Sequence, residues 1–342
     1  MSGTTEHLPA TGLAWHLARR PEGPATAEDF ALREIPVVPP EEGSVLVRNR
    51  YFSVDPYMRG RMNDVKSYTP PYRLDHPMDG GAAGEVIASR AAGFEPGDLV
   101  VHGRGWREYA TVPADTCVRA DTALAPLSAY LGVLGMTGLT AYAGLLDVAS
   151  FRPGETVFVS GAAGAVGSQV GQIARLKGAA RVVGSAGSAQ KVRLLVDEFG
   201  FDAAFNYKDG PVVGQLRPLV PDGVDVYFDN VGGEHLEAAL SRMNVHGRIT
   251  VCGMIAQYDG APGPAPRNLA LLIGKRLRMQ GMLVGDHERL RPRFVEEVSG
   301  WLREGRLTYR ETVLHGIERG AEAFLGLMRG ENTGKMLVAL DG

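Results

Sequence analysis

Two stretches of this sequence carry residue types and spacings able to do chemistry. The first is Val157-Phe158-Val159-Ser160 running into Gly161-Ala162-Ala163-Gly164-Ala165-Val166-Gly167, with a helical pattern over 168–177 behind it. Small residues in that order let a chain turn tightly, approach a pyrophosphate with its backbone and pack helix on strand. The free N–H groups of the helix start then face the negative charge. The first glycine of G-x-G-x-x-G is Ala162 here, which leaves A-x-G-x-x-G with Gly164 and Gly167 in place. Glycine-rich turns at strand ends are common, and what makes this one specific is its place at the head of an alternation of strands and helices. On that reading the backbone from Ala163 through Ala165 and Val166 cradles the phosphates of a dinucleotide.

Which dinucleotide is decided at the end of the next strand. A carboxylate about 20 residues beyond the turn selects an unphosphorylated adenosine ribose. This chain has Ser185-Ala186-Gly187-Ser188 there, then Lys191 and Arg193, and no acid before Asp197. Two unit charges ~4 Å apart at an effective dielectric of 20 interact by ~4 kcal/mol, so a missing acid and an added base both favour a 2′-phosphate. NADP(H) is the expected cofactor. The competing reading of Lys191, a solvated residue in the first turn of a helix, accounts for the base but not for the missing acid.

Stepping outward, short β-branched runs alternate with helical patterns over six expected strands at 156–160, 181–185, 203–206, 224–229, 248–252 and 278–283. That rhythm writes a doubly wound parallel α/β sheet. Residues 30–120 read instead as a β-rich unit, with extended patterns at 44–48, 84–88, 97–101 and 107–112 punctuated by turn residues. After a helical stretch at 289–304, the tail carries strand patterns at 309–314 and 335–340 around a helix at 317–329. Too short to be a domain, it is expected to complete the N-terminal unit. Residues 1–20 read as a short polar leader without the apolar core of a signal peptide.

Composition bounds the rest. With 342 residues, 44% of them hydrophobic and 22% charged, the chain has material for two cored domains. Net charge −3 with no block of like charge leaves no footprint for nucleic acid or an anionic membrane. Residues 123–146 lack any charge, but Pro126, Gly132, Gly135, Gly138 and Gly144 and the absence of basic flanks point to a buried helical junction rather than a membrane span. Cys117 and Cys252 stand far apart with no C-x-x-C, so neither a disulfide framework nor a zinc cluster is expected, and the cytoplasm is the expected compartment.

Several stretches, in order along nearly the whole chain, carry a resemblance. They are Val54-Asp55-Pro56-Tyr57-Met58-Arg59, Gly135-Met136-Thr137-Gly138-Leu139-Thr140-Ala141-Tyr142 and the turn at 161–167. Phe205-Asn206-Tyr207-Lys208, Asp229-Asn230-Val231-Gly232-Gly233 and Glu331-Asn332-Thr333-Gly334-Lys335 follow. The sequence resembles the zinc-independent medium-chain dehydrogenases/reductases, and among them the NADPH-dependent alkenal/enone double-bond reductases that include leukotriene B4 12-hydroxydehydrogenase/prostaglandin reductase. The resemblance implies a GroES-like catalytic domain at 1–134, a Rossmann domain at 135–304 and a return to the catalytic domain at 305–342. It places Lys191 and Tyr207 on the adenosine 2′-phosphate, and Asn230, Cys252, Gly253 and Asn332 around the ribose and nicotinamide, with Met136 and Thr140 lining the nicotinamide side. Thr137 stands where many relatives have proline. Zinc-bearing relatives carry Gly-His-Glu before a Gly-x-Val strand. Here Asp79-Gly80-Gly81 precedes Gly84-Glu85-Val86, and glycine ligates no metal, so no metal is expected; His76 and His102 read as lone packing or surface histidines.

The implied reaction adds hydride to the β-carbon of a small α,β-unsaturated aldehyde or ketone, so charge moves to the carbonyl oxygen. Neutral donors must meet it there, each typically worth ~2.7–4 kcal/mol. A tyrosine, protonated at neutral pH, suits the task. Tyr258, in the loop after the fifth strand, is the candidate donor, since loops at the carboxyl ends of such strands face the cofactor crevice. The resembling reductases use a tyrosine here together with the nicotinamide ribose hydroxyl. A loop aromatic that merely packs is the other reading, and the α-carbon proton comes from Tyr258 or from water. Tyr57 is the second candidate, as pocket wall, second hydroxyl or structural residue, while Tyr51, Met282, Leu283 and the loop 262–266 are candidates for an apolar pocket wall. An NADPH:quinone reductase and a non-catalytic NADP(H) sensor remain alternatives. Edge pairing of the sixth strand, by the same resemblance, predicts a homodimer.

Overall fold

The fold is described from a computed structural model, which describes residues 8–258 and 266–340. The chain divides into two compact units. One comprises the residues up to Leu131, Thr312–Glu331 and those from Met336 onward; the other comprises Gly132–Glu311 and Asn332–Lys335.

In the first unit a seven-stranded sheet runs in the order Glu311–His315, Lys335–Ala339, Ser44–Val54, Ala82–Ser89, Leu99–His102, Val118–Arg119, with Tyr109–Pro113 also on Ser44–Val54. Its core is aromatic. Trp106 lies between Phe30, stacked at 6.3 Å, and Phe52, at 5.1 Å. The reading of 1–20 as a leader is corrected here: Thr11–Leu17 is a strand, paired antiparallel with Phe30–Pro36. Trp15 and Leu17 are buried in the core, and Leu13 packs against it. That alternation is the strand signal.

Two histidines are buried in their neutral form, His102 in this unit and His235 in the second. Arg104 donates its backbone N–H to His102 Nδ1 (3.1 Å), so the other ring nitrogen donates to Asn49 Oδ1 at 2.9 Å. Burial drives the His102 pKa down to about 3 and, in the second unit, that of His235 down to about 4. Both histidines charge in the unfolded chain near pH 6.5 and resist charging in the folded one. Stability therefore falls as pH drops from about 6.5 towards about 4, by about 1.4 kcal/mol per pH unit for each. Urea midpoints measured at pH 7 and pH 5 should show His235→Asn losing one histidine's share of the slope; an unchanged slope contradicts this.

The second unit holds a six-stranded parallel sheet. Its strands in chain order are Thr156–Val159, Arg181–Ala186, Ala203–Asn206, Val224–Asp229, Met243–Val251 and Arg278–Gly281. In space they lie 3-2-1-4-5-6, which is the doubly wound dinucleotide order, so the expected α/β fold class is borne out. Val157, Phe158 and Val159 are fully buried, as a strand covered on both faces requires. The fifth strand starts earlier than 248 because the ladder to the fourth shifts between Val224 and Val226, with His246 at φ 65° in the irregular stretch. The sixth strand, four residues long, is exposed throughout and forms the sheet's edge.

The uncharged run 123–146 becomes the short helical turn Leu127–Leu131 and the helix Met136–Ala143. Its glycines are packing devices. A Cβ on Gly138 would stand 1.9 Å from the Val133 carbonyl oxygen, and one on Gly144 2.6 Å from the Phe228 ring. No helix among the described residues is long and apolar enough to cross a membrane.

Candidate functional site

The glycine turn leaves the first strand of the parallel sheet with Gly161 at φ 59°. Ala162 then donates to Ser185 O (2.8 Å), which pins the turn to the second strand. The helix Gly167–Leu176 starts against the turn so closely that a Cβ on Gly167 would lie 2.6 Å from Gly161 O and 2.7 Å from Ala162 Cα. Gly164 is different. The nearest atom to a Cβ there is Gly161 O at 3.3 Å, with nothing else in range. Its bareness serves open space above the turn rather than packing, and Ala165 and Val166 continue the same half-buried rim. A turn of this form fits a pyrophosphate.

A distant segment closes the turn. Gly334 donates to Ala163 O at 2.8 Å, and Asn332, buried, donates its side-chain amide to Gly334 O at 2.8 Å. Gly334 has φ 66°, and a Cβ there would stand 1.9 Å from Arg310 O, so only glycine makes the return.

At the end of the second strand, Ser188 caps the helix Ala189–Asp197, its hydroxyl accepting from Lys191 N (3.3 Å). Tyr207 reaches across from the end of the third strand: a Cβ on Gly187 would lie 3.1 Å from its hydroxyl oxygen. The Tyr207 ring meets the buried His235 edge-on at 5.3 Å. The Ser185 hydroxyl is fully buried without a hydrogen-bond partner among the described residues. Burial, then the charge of Lys208, lowers the Lys191 ammonium below its ordinary range. A lysine and a tyrosine hydroxyl at the end of a second strand, in a stretch 181–196 that carries no acid, fit a phosphorylated ribose.

The end of the fourth strand is organised by Asp229. Its Oδ1 accepts from Ser160 Oγ (3.1 Å), Tyr227 Oη (2.7 Å) and the backbone N–H of Val231 (2.9 Å) and Gly232 (2.8 Å). Asn230 is fixed by the same knot, donating its backbone N–H to Ser160 Oγ (3.0 Å) and its side-chain amide to Ser160 O (2.8 Å). The Asp229 carbonyl accepts from Cys252 N (2.9 Å) and Gly253 N (3.1 Å), which ties in the loop after the fifth strand. Burial, then the Asp229 charge, pushes the Cys252 thiol up to about 12, so it stays neutral. Tyr258 follows the turn Ile255–Gln257, and its hydroxyl oxygen accepts from Met254 N at 3.4 Å, beside Gly253. Met136 opens its helix half exposed, while Thr140 donates back to Met136 O (2.7 Å) and Thr137 to Gly132 O (3.0 Å).

These residues, from Met136 through Asn332, all lie in the second unit. Tyr57 and Tyr51 belong to the first, where Tyr57 precedes the short helix Met58–Arg61 and packs on the aromatic core. Burial and Asp55 raise the Tyr57 hydroxyl well above its ordinary range. Residues 262–265 of the proposed pocket loop lie outside the described residues; Met282 donates its N–H to Val251 O (3.2 Å), and Leu283 is partly exposed. Among the described residues no group of three or more His, Cys, Asp or Glu converges to hold a metal. Sequence reasoning missed Ser160, Asp229 and His235. The D-N-V-G-G run was the available signal for Asp229, but a buried hydrogen-bond hub has no periodicity to betray it.

Known proteins are similar to this chain. Residues 14–120 match the family described as the N-terminal domain of oxidoreductase, and residues 165–300 match the zinc-binding dehydrogenase family. The chain belongs to the medium-chain dehydrogenase/reductase family. Among its relatives in that family, the 2-alkenal reductase (NADP(+)-dependent) of Nicotiana tabacum is 46% identical, over 88% of both chains. The NADPH-dependent curcumin reductase of Escherichia coli (strain K12) is 40% identical over 96% of both. A crystal structure of CurA in complex with NADPH from Vibrio vulnificus is 40% identical, with a TM-score of 0.91 over 96% of this chain and 99% of that one.

Proposed function

We propose that this medium-chain dehydrogenase/reductase uses NADPH to reduce the C=C bond of α,β-unsaturated aldehydes and ketones. The cofactor reading rests on Lys191 and Tyr207 at the end of a second strand that carries no acid before Asp197, and on the relatives named above. When bound, NADPH supplies the hydride. The backbone of Ala163, Gly164, Ala165, Val166 and Gly167 would hold its pyrophosphate. Ser185, Gly187, Ser188, Lys191 and Tyr207 would hold the phosphorylated ribose, and Met136, Thr140, Asn230, Cys252, Gly253 and Asn332 the nicotinamide half.

One observation carries the choice of substrate. Tyr258 places a phenol hydroxyl against Gly253 on a loop whose neighbour Cys252 is held neutral. A carbonyl oxygen that gains charge as the β-carbon is reduced would meet a neutral donor there. Tyr258 donates that hydrogen bond and stabilises the enolate as it forms. NADPH oxidation measured with a 2-alkenal, an alkenone and a benzoquinone tests the reading: faster turnover of the conjugated carbonyls supports it, and faster turnover of the quinone sinks it. We extend the proposal to a homodimer through the edge strand Arg278–Gly281; a monomer mass in light scattering removes that part.

A further inference from the structure

The register of the second and third parallel strands carries a residue beyond Lys191 and Tyr207. Asn206 pairs with Ala186, so the chain leaving the third strand runs beside the chain leaving the second. Tyr207 is brought over Gly187, one step past that pair. Lys208 follows on the single helical turn Tyr207–Asp209, near enough to the helix Ala189–Asp197 for its charge to act on Lys191. Asn206 fixes this turn, since its Oδ1 accepts from Lys208 N at 3.2 Å and its Nδ2 donates to Asp209 Oδ1 at 2.6 Å. The acid on the turn is thereby drawn onto Asn206. Lys208 itself is exposed, its Nζ 6.0 Å from the centroid of the Tyr207 ring.

We propose that Lys208 is a second cationic contact for the adenosine 2′-phosphate, closing on the anion from the third-strand side while Lys191 closes from the second. Burial raises the cost of the Lys191 charge, and the nearby like charge of Lys208 adds to it, so the Lys191 ammonium is lowered below its ordinary range. A dianion between them removes the repulsion and gains from both, so the pair selects phosphate over hydroxyl more sharply than one lysine does. Tyr207 then spaces the two cations and presents its hydroxyl to the same group.

This inference rests on the NADPH reading above, and calorimetric titration with 2′,5′-ADP and with 5′-AMP separates the two. The wild-type protein is expected to prefer 2′,5′-ADP. Lys208→Ala should cut that preference by about three- to tenfold with 5′-AMP binding unchanged, Lys191→Ala should cut it further, and Lys208→Arg should restore most of it. A Lys208→Ala protein with the full wild-type preference overturns the inference and leaves the cofactor reading standing. Equal loss of both nucleotides also overturns it, because that is the mark of a disturbed turn. A wild-type protein with no preference overturns the cofactor reading itself.

Discussion

Tyr258→Phe is expected to lower kcat for a 2-alkenal by about two to three orders of magnitude and to leave KM for NADPH within about twofold. Loss of one well-placed donor to a developing oxyanion typically costs ~10²–10³ in kcat. Phenylalanine keeps the ring on the turn after Ile255–Gln257 and removes the hydroxyl alone. The bond that hydroxyl accepts from Met254 N is long, at 3.4 Å, and a melting temperature close to the wild type's checks that the fold is kept. A kcat that falls together with a rising KM for NADPH would mean that Tyr258 shapes the cofactor site instead of acting on the substrate. Wild-type turnover would remove Tyr258 from the mechanism.

The second large effect lies at the start of the helix Gly167–Leu176. In Gly167→Val the new Cβ meets Gly161 O at 2.6 Å and Ala162 Cα at 2.7 Å, and both are backbone, so neither can swing aside. Strain of this kind costs of order 1–3 kcal/mol, or more where the surroundings cannot yield. The melting temperature should drop by several degrees, and calorimetry should find NADPH affinity lost. Gly164→Ala is the control that separates packing from approach. Its Cβ meets only Gly161 O, at 3.3 Å, so it should melt close to the wild type yet bind NADPH poorly, because the methyl stands where the backbone must face phosphate. A Gly167→Val protein with wild-type melting and affinity would refute this account of the turn.

The parallel sheet was legible because each of its strands is written in adjacent residues. Arg181–Ala186 and Val224–Asp229 are β-branched runs bounded by helical patterns, and their positions follow from periodicity. Met243–Val251 was legible only in its second half, since a register shift beside His246 hides the first. At the N-terminus, Leu13, Trp15 and Leu17 alternate as a strand should, but their partner Phe30–Pro36 lies across an irregular stretch, and a short segment read alone resembles a leader. The candidate site divides in the same way. Gly164, Gly167 and Lys191 sit in a local motif. The Asp229 knot joins Ser160, Tyr227 and Asn230 from two strands, and the closure of Gly334 on Ala163 joins residues far apart in sequence. Such contacts depend on register and topology, which no local pattern encodes.

The destination of the hydride separates C=C reduction from carbonyl reduction. A 2-alkenal reduced with NADPH that carries deuterium at the transferable position should yield a saturated aldehyde labelled on its β-carbon, with the carbonyl intact, as read by NMR and mass spectrometry. Deuterium found on the former carbonyl carbon of an allylic alcohol would contradict the account, because Tyr258 would then be serving carbonyl reduction and the C=C reading would be wrong.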